Sequence, residues 1–342
     1  MSRKRAASGE RVIDLLDVIE RAYDMEATDE QWLSAILREV TPAIERGRGV
    51  CAYLYDASAR PLKTWGWVGE HAATEQELID VVNAADDDYV RQSFLVVPFG
   101  TASEQPGFDR QRTFGRRLHK YGIRDCLALN GFDQTGVGAW IGSFLPEIDQ
   151  VVAADRERWS KVASHVAAAL RLRMKLRAAT ERSATAPDAI LSPGGKMEHA
   201  NGGDVTQERS TLVDAVRRLE RARGKLRRTD PDAAVEAWWV LVRGKWSLVD
   251  DFTEGGRRYL FAYRNAPVSV GPAALTERER EIVALSLLGH SPKLVAYELG
   301  LAPSTVRVHL ANASRKLGAR SHSALLAKYR AWMLRQAPPN AQ

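Results

Sequence analysis

Apolar positions along this chain repeat with two different periods, and the places where the period changes mark out its elements. Val12, Leu15, Leu16 and Ile19 share one side of a helix over residues 10–23. Trp32, Leu33, Ile36, Leu37 and Val40 share one side of a second over 29–44, with Asp29 placed to cap it. Two short apolar runs follow, GVCAYLY at 49–55 and PLKTWGWV at 61–68, and the polar DASAR between them predicts an antiparallel hairpin. A helix over 75–84 leads to Asp86, Asp87 and Asp88 and a short segment ending at Gln92. FLVVPF at 94–99 is apolar, GTASEQPG after it has the composition of a loop, and 110–121 is a basic helix. Strands over 125–132 and 136–145, joined by DQT, are followed by a long helix over 149–178.

Within that long helix Val162, Val166, Leu170 and Met174 recur every four residues, with Trp159 one turn earlier. A stripe that outlasts its own domain suits a subunit contact, so it is expected to pair with its copy, with the first helix joining the bundle. Small polar residues over 179–186 mark a linker. Beyond it, 189–191 and 196–200 form a small hairpin around SPGG. A basic helix over 205–228 then sets Leu212, Val216, Leu219, Arg223 and Leu226 along one seam. Asp230 caps a further helix burying Val235, Trp238, Trp239 and Val242, and strands over 246–252 and 258–263 complete a compact α+β unit spanning 187–268.

From 275 to 333 the period is helical throughout and predicts four helices, with a three-residue turn between the second and third. Thr276 and Glu279 make a capping box for the first, whose apolar face is Ile282, Val283, Leu285 and Leu288. Ser291 caps the second ahead of Pro292, Val295, Ala296 and Leu299 face inward, and Gly300 stops it. Pro303 opens the third, in which Val306, Leu310, Ala313 and Leu317 form a buried stripe. Its opposite face carries Ser304, Arg307, Val308, Ala311 and Arg315, flanked by Thr305, His309 and Lys316. Small apolar side chains set between arginines suit a helix lying in a DNA major groove, where arginine reads guanine edges and a methyl-sized surface meets the thymine methyl. A merely basic surface helix is the plainer reading.

Charge decides between them. The chain holds 49 Lys and Arg against 43 Asp and Glu, a net +6, and residues 271–342 alone hold 10 basic and 4 acidic residues, also +6. The other 270 residues carry 39 of each sign, and from Ser304 onward there is no acid at all. So one-sided a distribution points to a phosphate-bearing partner.

At Leu275, Thr276, Arg278, Glu279, Glu281, Gly289, Ser291, Lys293, Ala296, Leu299, Ser304 to Arg307, His309 and Lys316 to Gly318, in register and without gaps, the segment resembles the helix-turn-helix of the LuxR family of bacterial transcription regulators. That resemblance implies double-stranded DNA as partner, with Arg307, Val308, Ala311 and Arg315 facing base edges. Lys293, Ser304, Thr305, His309 and Lys316 would face phosphates. It also implies a fourth helix, 321–334, that makes a homodimer through Leu325, Tyr329 and Trp332, and RNA polymerase as a partner if the protein activates. Three positions depart from the pattern: Leu294 replaces the usual acidic residue of the second helix, Ala302 stands where a serine normally caps the third, and Ala311 is small for its place.

The expected fold class is therefore multidomain α+β followed by an all-α four-helix head. Over 1–178 the order helix, hairpin, helices, hairpin, long helix is similar to the GAF class of bacterial sensory domains, an antiparallel sheet flanked by helices. This likeness implies an unknown small-molecule effector in a cavity walled by Trp65, Trp67, Phe99, Tyr121 and Trp140, although the same aromatics also suit an ordinary core. The 187–268 unit is weakly similar to a PAS-like module, and a rigid spacer fits it equally. The head spans 271–335 and a disordered tail is expected over 336–342.

Other chemistries find little support. A composition of 27% charged and 45% hydrophobic residues is that of a globular protein. No run reaches the roughly 18 apolar residues of a membrane helix, and MSRKRAASGERV lacks the apolar core of a secretory signal, so no membrane contact and a cytoplasmic location are expected. Cys51 and Cys126 stand singly, without CxxC spacing, and buried thiols are expected rather than zinc or a disulfide; a redox-sensing pair is the alternative. The three aspartates at 86–88 lack the further carboxylates of a calcium loop and fit a solvated loop or a cap, leaving no metal and no cofactor expected. The glycines of 136–142 have the wrong spacing for a dinucleotide loop, and no Walker loop, HExxH or nucleophile elbow occurs, which argues against an enzyme. The competing class is an interaction protein whose head docks on another regulator.

Overall fold

The structure, a computed structural model, describes residues 13–132, 136–180, 186–202, 205, 208–238, 246–252, 256–264 and 275–336. Residues 181–185 of the linker expected over 179–186, the expected tail from 337 on, Val12, Trp239 and Val242 lie outside the described residues. Helices α1, Leu15–Ala22, and α2, Asp29–Ile44, start at Asp14 and at a Thr28/Gln31 capping box. Strands β1, Gly49–Asp56, and β2, Lys63–His71, form the expected antiparallel hairpin. Helix α3, Glu75–Asn83, and helix α4, Asp87–Leu95, come next. The apolar run at 94–99 divides between the end of α4 and strand β3, Phe99–Thr101. Helix α5, Arg112–Leu118, is followed by β4, Asp125–Phe132, and β5, Val137–Leu145.

These strands make one antiparallel sheet in the order β2-β1-β5-β4-β3, so β1 and β5, far apart in sequence, lie side by side. Period-two alternation divides its two faces. Ala52, Leu54, Leu127, Leu129, Ala139 and Ile141 pack with α1, α2 and the long helix α6, Ala153–Thr180. Tyr53, Tyr55, Ala128, Phe132, Trp140 and Phe144 pack instead with α3, α4 and α5. Both faces are covered, which is why β1, β4 and β5 read as nearly continuous apolar runs.

A second antiparallel sheet, β7-β6-β9-β8, is built from β6, Ala189–Leu191, β7, Met197–Ala200, β8, Trp246–Phe252, and β9, Arg258–Arg264. Helix α7, Arg209–Arg221, covers it through Leu212, Val216 and Leu219. The basic helix expected to run regularly to 228 is interrupted, because Gly224 at φ −86°, ψ −128° breaks it within a π-turn over Ala222–Leu226. Helix α8, Pro231–Ala237, is capped by Asp230. One apolar cluster runs from α1 and α6 into this second sheet.

The α6 stripe expected to meet a second copy is taken up inside the chain. Val162, Val166 and Leu170 are buried against β4 and α1, and of the four only Met174 stays exposed, at 43%. No helix among the described residues is long and apolar enough to cross a membrane.

The close fit of α6 on β4 depends on Gly131, where a Cβ would stand 2.6 Å from Val166 Cγ1 and 2.9 Å from the Ala167 backbone nitrogen. Gly131→Ala should therefore lower unfolding stability by about 1–3 kcal/mol through overpacking, read in urea denaturation. An unchanged midpoint would show that the helix and strand are not held this tightly.

Candidate nucleic-acid interface

The C-terminal head consists of α9, Glu277–Leu287, α10, Pro292–Leu299, α11, Pro303–Lys316, and α12, His322–Gln336. Local chemistry sets each boundary. Thr276 and Glu279 cap α9 reciprocally, and Ser291 Oγ accepts the Leu294 amide at the start of α10. Gly300 ends α10 at φ 62°, a left-handed backbone that a side chain would strain. Ala302 occupies the N-cap of α11 with no side-chain hydrogen bond. Ile282, Val283, Val295, Ala296, Leu299, Val306, Leu310 and Ala313 close a core of their own.

That core fixes which side of α11 faces out. Ser304, Arg307, Val308, Ala311 and Arg315 are all exposed and share one face, and Val308 is 58% exposed, uncommon for a valine on an ordinary wet helix. Thr305 and His309 are half-buried beside them. Arg315 leans on Asn312 Oδ1 at 3.0 Å. The two lysines expected at phosphates are already engaged. Lys316 Nζ lies 2.7 Å from Glu279, and Lys293 Nζ lies 3.4 Å from Glu157 of α6. Arg278 ties α9 to α10 by donating to the Leu299 carbonyl at 2.8 Å.

The residues expected in the dimer contact are placed otherwise. Leu325 and Tyr329 are fully buried in the head's own core, because the stripe four residues apart on α12 packs on α9, and Trp332 is half-buried beside Tyr329. Leu325 and Tyr329 stabilise the head and are not exposed to a second copy.

Helix α10 is buried on two sides. While Val295, Ala296 and Leu299 face the head, Leu294 and Tyr297 belong to the apolar cluster of the preceding sheets. Tyr297 Oη lies 2.7 Å from His165 Nε2 and donates to the Val235 carbonyl at 3.1 Å, and Ser164 Oγ donates to Glu298 at 2.7 Å. His290 Nδ1 reaches the other Glu298 oxygen at 3.1 Å. Burial alone would raise the Glu298 carboxyl, but His290 and Ser164 hold it below its ordinary range. Sequence reasoning placed only one side of α10; the signal it passed over is that Leu294 and Tyr297 carry apolar surface beyond the Val295, Ala296 and Leu299 face, the mark of an element buried on both sides.

A cavity of about 90 Å³ lies between the first sheet and helices α3 to α5. Of the five expected wall residues, Trp140 lines it and the other four lie elsewhere. Phe99 pairs with Leu129 and so points to the α6 face, stacking on Trp159 at 5.6 Å. Trp65 is exposed, Trp67 stacks on Tyr53 at 4.0 Å behind the wall, and Tyr121 Oη donates to Glu77 at 2.8 Å. The walls include Tyr53, Phe94, Phe114 and Phe144, and one polar group stands out among them. Asn130 is buried, its amide nitrogen donates to the Ser93 carbonyl at 2.7 Å, and its Oδ1 has no partner among the described residues. Burial pushes the Cys51 and Cys126 thiols up. No group of three or more His, Cys, Asp or Glu among the described residues gathers as a metal site would.

Residues 273–328 match the family model described as bacterial regulatory proteins, luxR family. The transcriptional regulatory protein UhpA is 38% identical over 98 residues in Salmonella typhimurium and 37% over 98 in Escherichia coli, each match covering 28% of this chain and 44% of the relative. The spore germination protein GerE of Bacillus subtilis is 43% identical over 49 residues, 14% of this chain and 66% of GerE. The chain thus spans under half the length of its UhpA relatives. Among solved structures, Escherichia coli SdiA overlays with a TM-score of 0.29 at 11% identity, over 94% of this chain and 97% of SdiA. SdiA in complex with octanoyl-rac-glycerol gives 0.28 at 12%, over 97% of each chain. Overlays at such scores carry no argument about arrangement or ligand.

Burial by itself would raise the Glu279 carboxyl, but the Lys316 ammonium and the Thr276 cap outweigh it and hold the group below the ordinary glutamate value. Stability from a depressed acid is present above its unfolded pKa and lost as pH falls through the folded one. Glu279→Gln should therefore destabilise the chain at pH 7, and the gap to the native sequence should close as pH drops through the carboxylate range. Denaturation at stepped pH measures this; a gap independent of pH would remove the ion pair from the account.

Proposed function

We propose, on the premise that residues 273–328 are a helix-turn-helix domain of the luxR family, that the chain is a sequence-specific transcription regulator whose α11 reads a DNA major groove. The observation that carries this reading is the outward face of α11. Arg307 and Arg315 flank exposed Val308 and Ala311, in a segment that has no acid from Ser304 to its end. Arg307, Val308, Ala311 and Arg315 are assigned to base edges, and Ser304, Thr305 and His309 to the phosphates alongside. Lys293 and Lys316 join them once their ion pairs with Glu157 and Glu279 open. Regulators of this geometry act as dimers on half-sites about 34 Å apart. A homodimer is part of the reading, with a contact other than Leu325 and Tyr329, and RNA polymerase is its partner where it activates.

The first sheet with its helices is read as a GAF-like sensory part, and 187–268 as a PAS-like module or spacer. An effector would sit in the Trp140 cavity, oriented by a donor meeting Asn130 Oδ1. At about 90 Å³ the cavity is smaller than the roughly 150 Å³ that holds benzene in an engineered protein core, so the effector is compact or displaces a wall. Mass spectrometry of small molecules released from the purified protein tests this half of the reading.

Selection of duplexes from a random pool by the full chain tests the DNA half. A defined site should be enriched, with affinity falling steeply as salt rises. Arg307→Ala should weaken binding about five- to a hundredfold, the value of one bidentate base contact. Retention of full affinity by Arg307→Glu would transfer the head to the competing class, a docking module for another protein.

A further inference from the structure

The basic helix that covers the second sheet, with the turns that follow it, divides its cations between two uses. Arg223 and Arg227 turn inward, Arg223 to Glu20, Glu220 and Asp250 and Arg227 to Asp14, Asp17 and Glu20. The others turn outward. From Arg209 to Thr229 ten residues are exposed, and six of them, Arg209, Arg217, Arg218, Arg221, Lys225 and Arg228, are cations, against one acid, Asp214. None of the six enters an ion pair among the described residues. On α7 itself Arg217 and Arg221 stand four apart and Arg218 and Arg221 three apart, and Lys225 and Arg228 carry the row past the break at Gly224. Like charges at these spacings weaken a helix, and a merely solvated helix sets Glu among its Lys and Arg instead. The row therefore costs stability that nothing inside the chain returns.

What could cover it is narrowed by the other side of the helix. A basic helix that lies on a membrane, or in the groove of a partner protein, needs an apolar face to bury there. Here that face is spent, because Leu212, Val216 and Leu219 are buried against the sheet. Only charge is left on offer, which suits a polyanion. The row from Arg217 to Arg228 is about 17 Å long at 1.5 Å per residue. Over that length one strand of a duplex carries roughly five phosphates, at about 3.4 Å each, and the row holds five cations, Arg217, Arg218, Arg221, Lys225 and Arg228. Its far end also lies toward the head. Arg228 precedes by eight residues Glu236 of α8, which lines the same cleft as Pro303, the first residue of α11. The acids in between are engaged, Asp230 as the cap of α8 and Asp232 and Glu236 with Arg158 and Lys161.

We propose that the outward row from Arg217 to Arg228 is a second nucleic-acid contact, which takes backbone phosphates of the duplex beyond the stretch that α11 reads. The inference rests on the DNA-binding reading above. Contacts of this kind add affinity and fix how the protein lies on the duplex, and they carry no base preference. Each phosphate they neutralise releases counterions and so steepens the loss of binding with salt. The 187–268 unit, read above as a sensor or a spacer, then has a part of its own in holding DNA.

The test uses the full chain and a duplex that it enriches from a random pool, in two lengths: trimmed to the enriched site, and extended by about 15 base pairs on each side, with affinity followed over a range of salt. The native chain should bind the extended duplex about tenfold more tightly than the trimmed one, with a steeper salt slope. A variant carrying Arg217→Gln, Arg221→Gln and Arg228→Gln together should bind both lengths alike, and its slope on the extended duplex should fall by about 3, near 0.9 for each phosphate lost. It should still enrich the same site and, freed of like-charge neighbours, melt no lower than the native chain. The same three positions changed to Lys should keep the length effect. Native affinity and native slope of the Gln variant on the extended duplex overturn the proposal. So does a Gln variant that loses binding to phosphatidylserine vesicles and none to the duplex, which assigns the row to a membrane. If Arg307→Ala weakens binding at both lengths while the Gln variant weakens neither, this inference alone fails. Should the native chain enrich no duplex, the reading of α11 fails, and this inference with it.

Discussion

The rest of the structure depends on a single helix buried on most of its circumference. Helix α6 lays Val162, Val166 and Leu170 against the first sheet and α1, with Gly131 giving it room to approach β4. Arg158 and Lys161 reach Asp232 and Glu236 of the α8 segment at 2.8 and 2.7 Å. Ser164 and His165 take the head. Near its end Arg173, almost wholly buried, donates to the Asp24 and Ala27 carbonyls at 2.5 and 2.7 Å, satisfying the chain as it leaves α1. Exposed ion pairs such as Arg158 with Asp232 contribute little each. The apolar stripe and the buried hydrogen bonds hold the assembly, since a buried polar group deprived of its partner costs more than the bond itself contributes.

Helix α1 is held from two sides as a result. It packs on α6 and α2 through Leu16, Val18 and Ile19, while its acidic face, Asp14, Asp17 and Glu20, receives Arg227 and Arg223 from the turn after α7. Arg223 also stacks 4.8 Å over the buried Trp238 ring and reaches Asp250 on β8. Arg223, which the sequence sets along one seam with Leu212, Val216 and Leu219, and Arg227 after it thus fasten the second sheet to the first helices. Burial pushes the Arg223 guanidinium down, and its carboxylate partners more than offset that and leave it raised.

How much of this was legible in the sequence follows from the range of the interactions. The capping box of α9, the pairing of β1 with β2 and of β4 with β5, and the Gly300 stop are decided within a few residues and stand where the sequence puts them, whereas α2 is capped by Thr28 and not by Asp29. The side of α11 that faces outward was equally readable, because a small core fixes the opposite stripe. Contacts between distant elements were not. Nothing near β1 announces that β5 lies beside it, and Phe99 and Trp140, both aromatic and both on strands, go to opposite faces for reasons of register alone. The α6 stripe looked like a subunit contact because periodicity reports burial without naming the partner; its partners are in the same chain. Leu294 carried a usable signal, since an aliphatic residue outside the head's own core needs some other surface to cover it.

The cavity and the docked head are closer neighbours than their places in the sequence suggest. Val97 lines both the cavity and the cleft beside α10, and Val96, the residue before it, touches Gly289. The cavity's other walls are not equally able to move. Tyr53, Ala128 and Trp140 sit on β1, β4 and β5, whose ladders are paired along their length. The segment between α4 and β3 is held to the sheet chiefly by the Asn130 amide, at 2.7 Å from the Ser93 carbonyl and 3.3 Å from that of Val97, and by the Asn130 backbone nitrogen at 2.8 Å from Pro98. A packed interior yields where the fewest bonds must be broken, so extra volume in the cavity is taken up at this segment before the sheet. The same segment is one wall of the cleft beside α10, so Val97 and its neighbour Val96 separate the cavity from the head by a single stretch of chain.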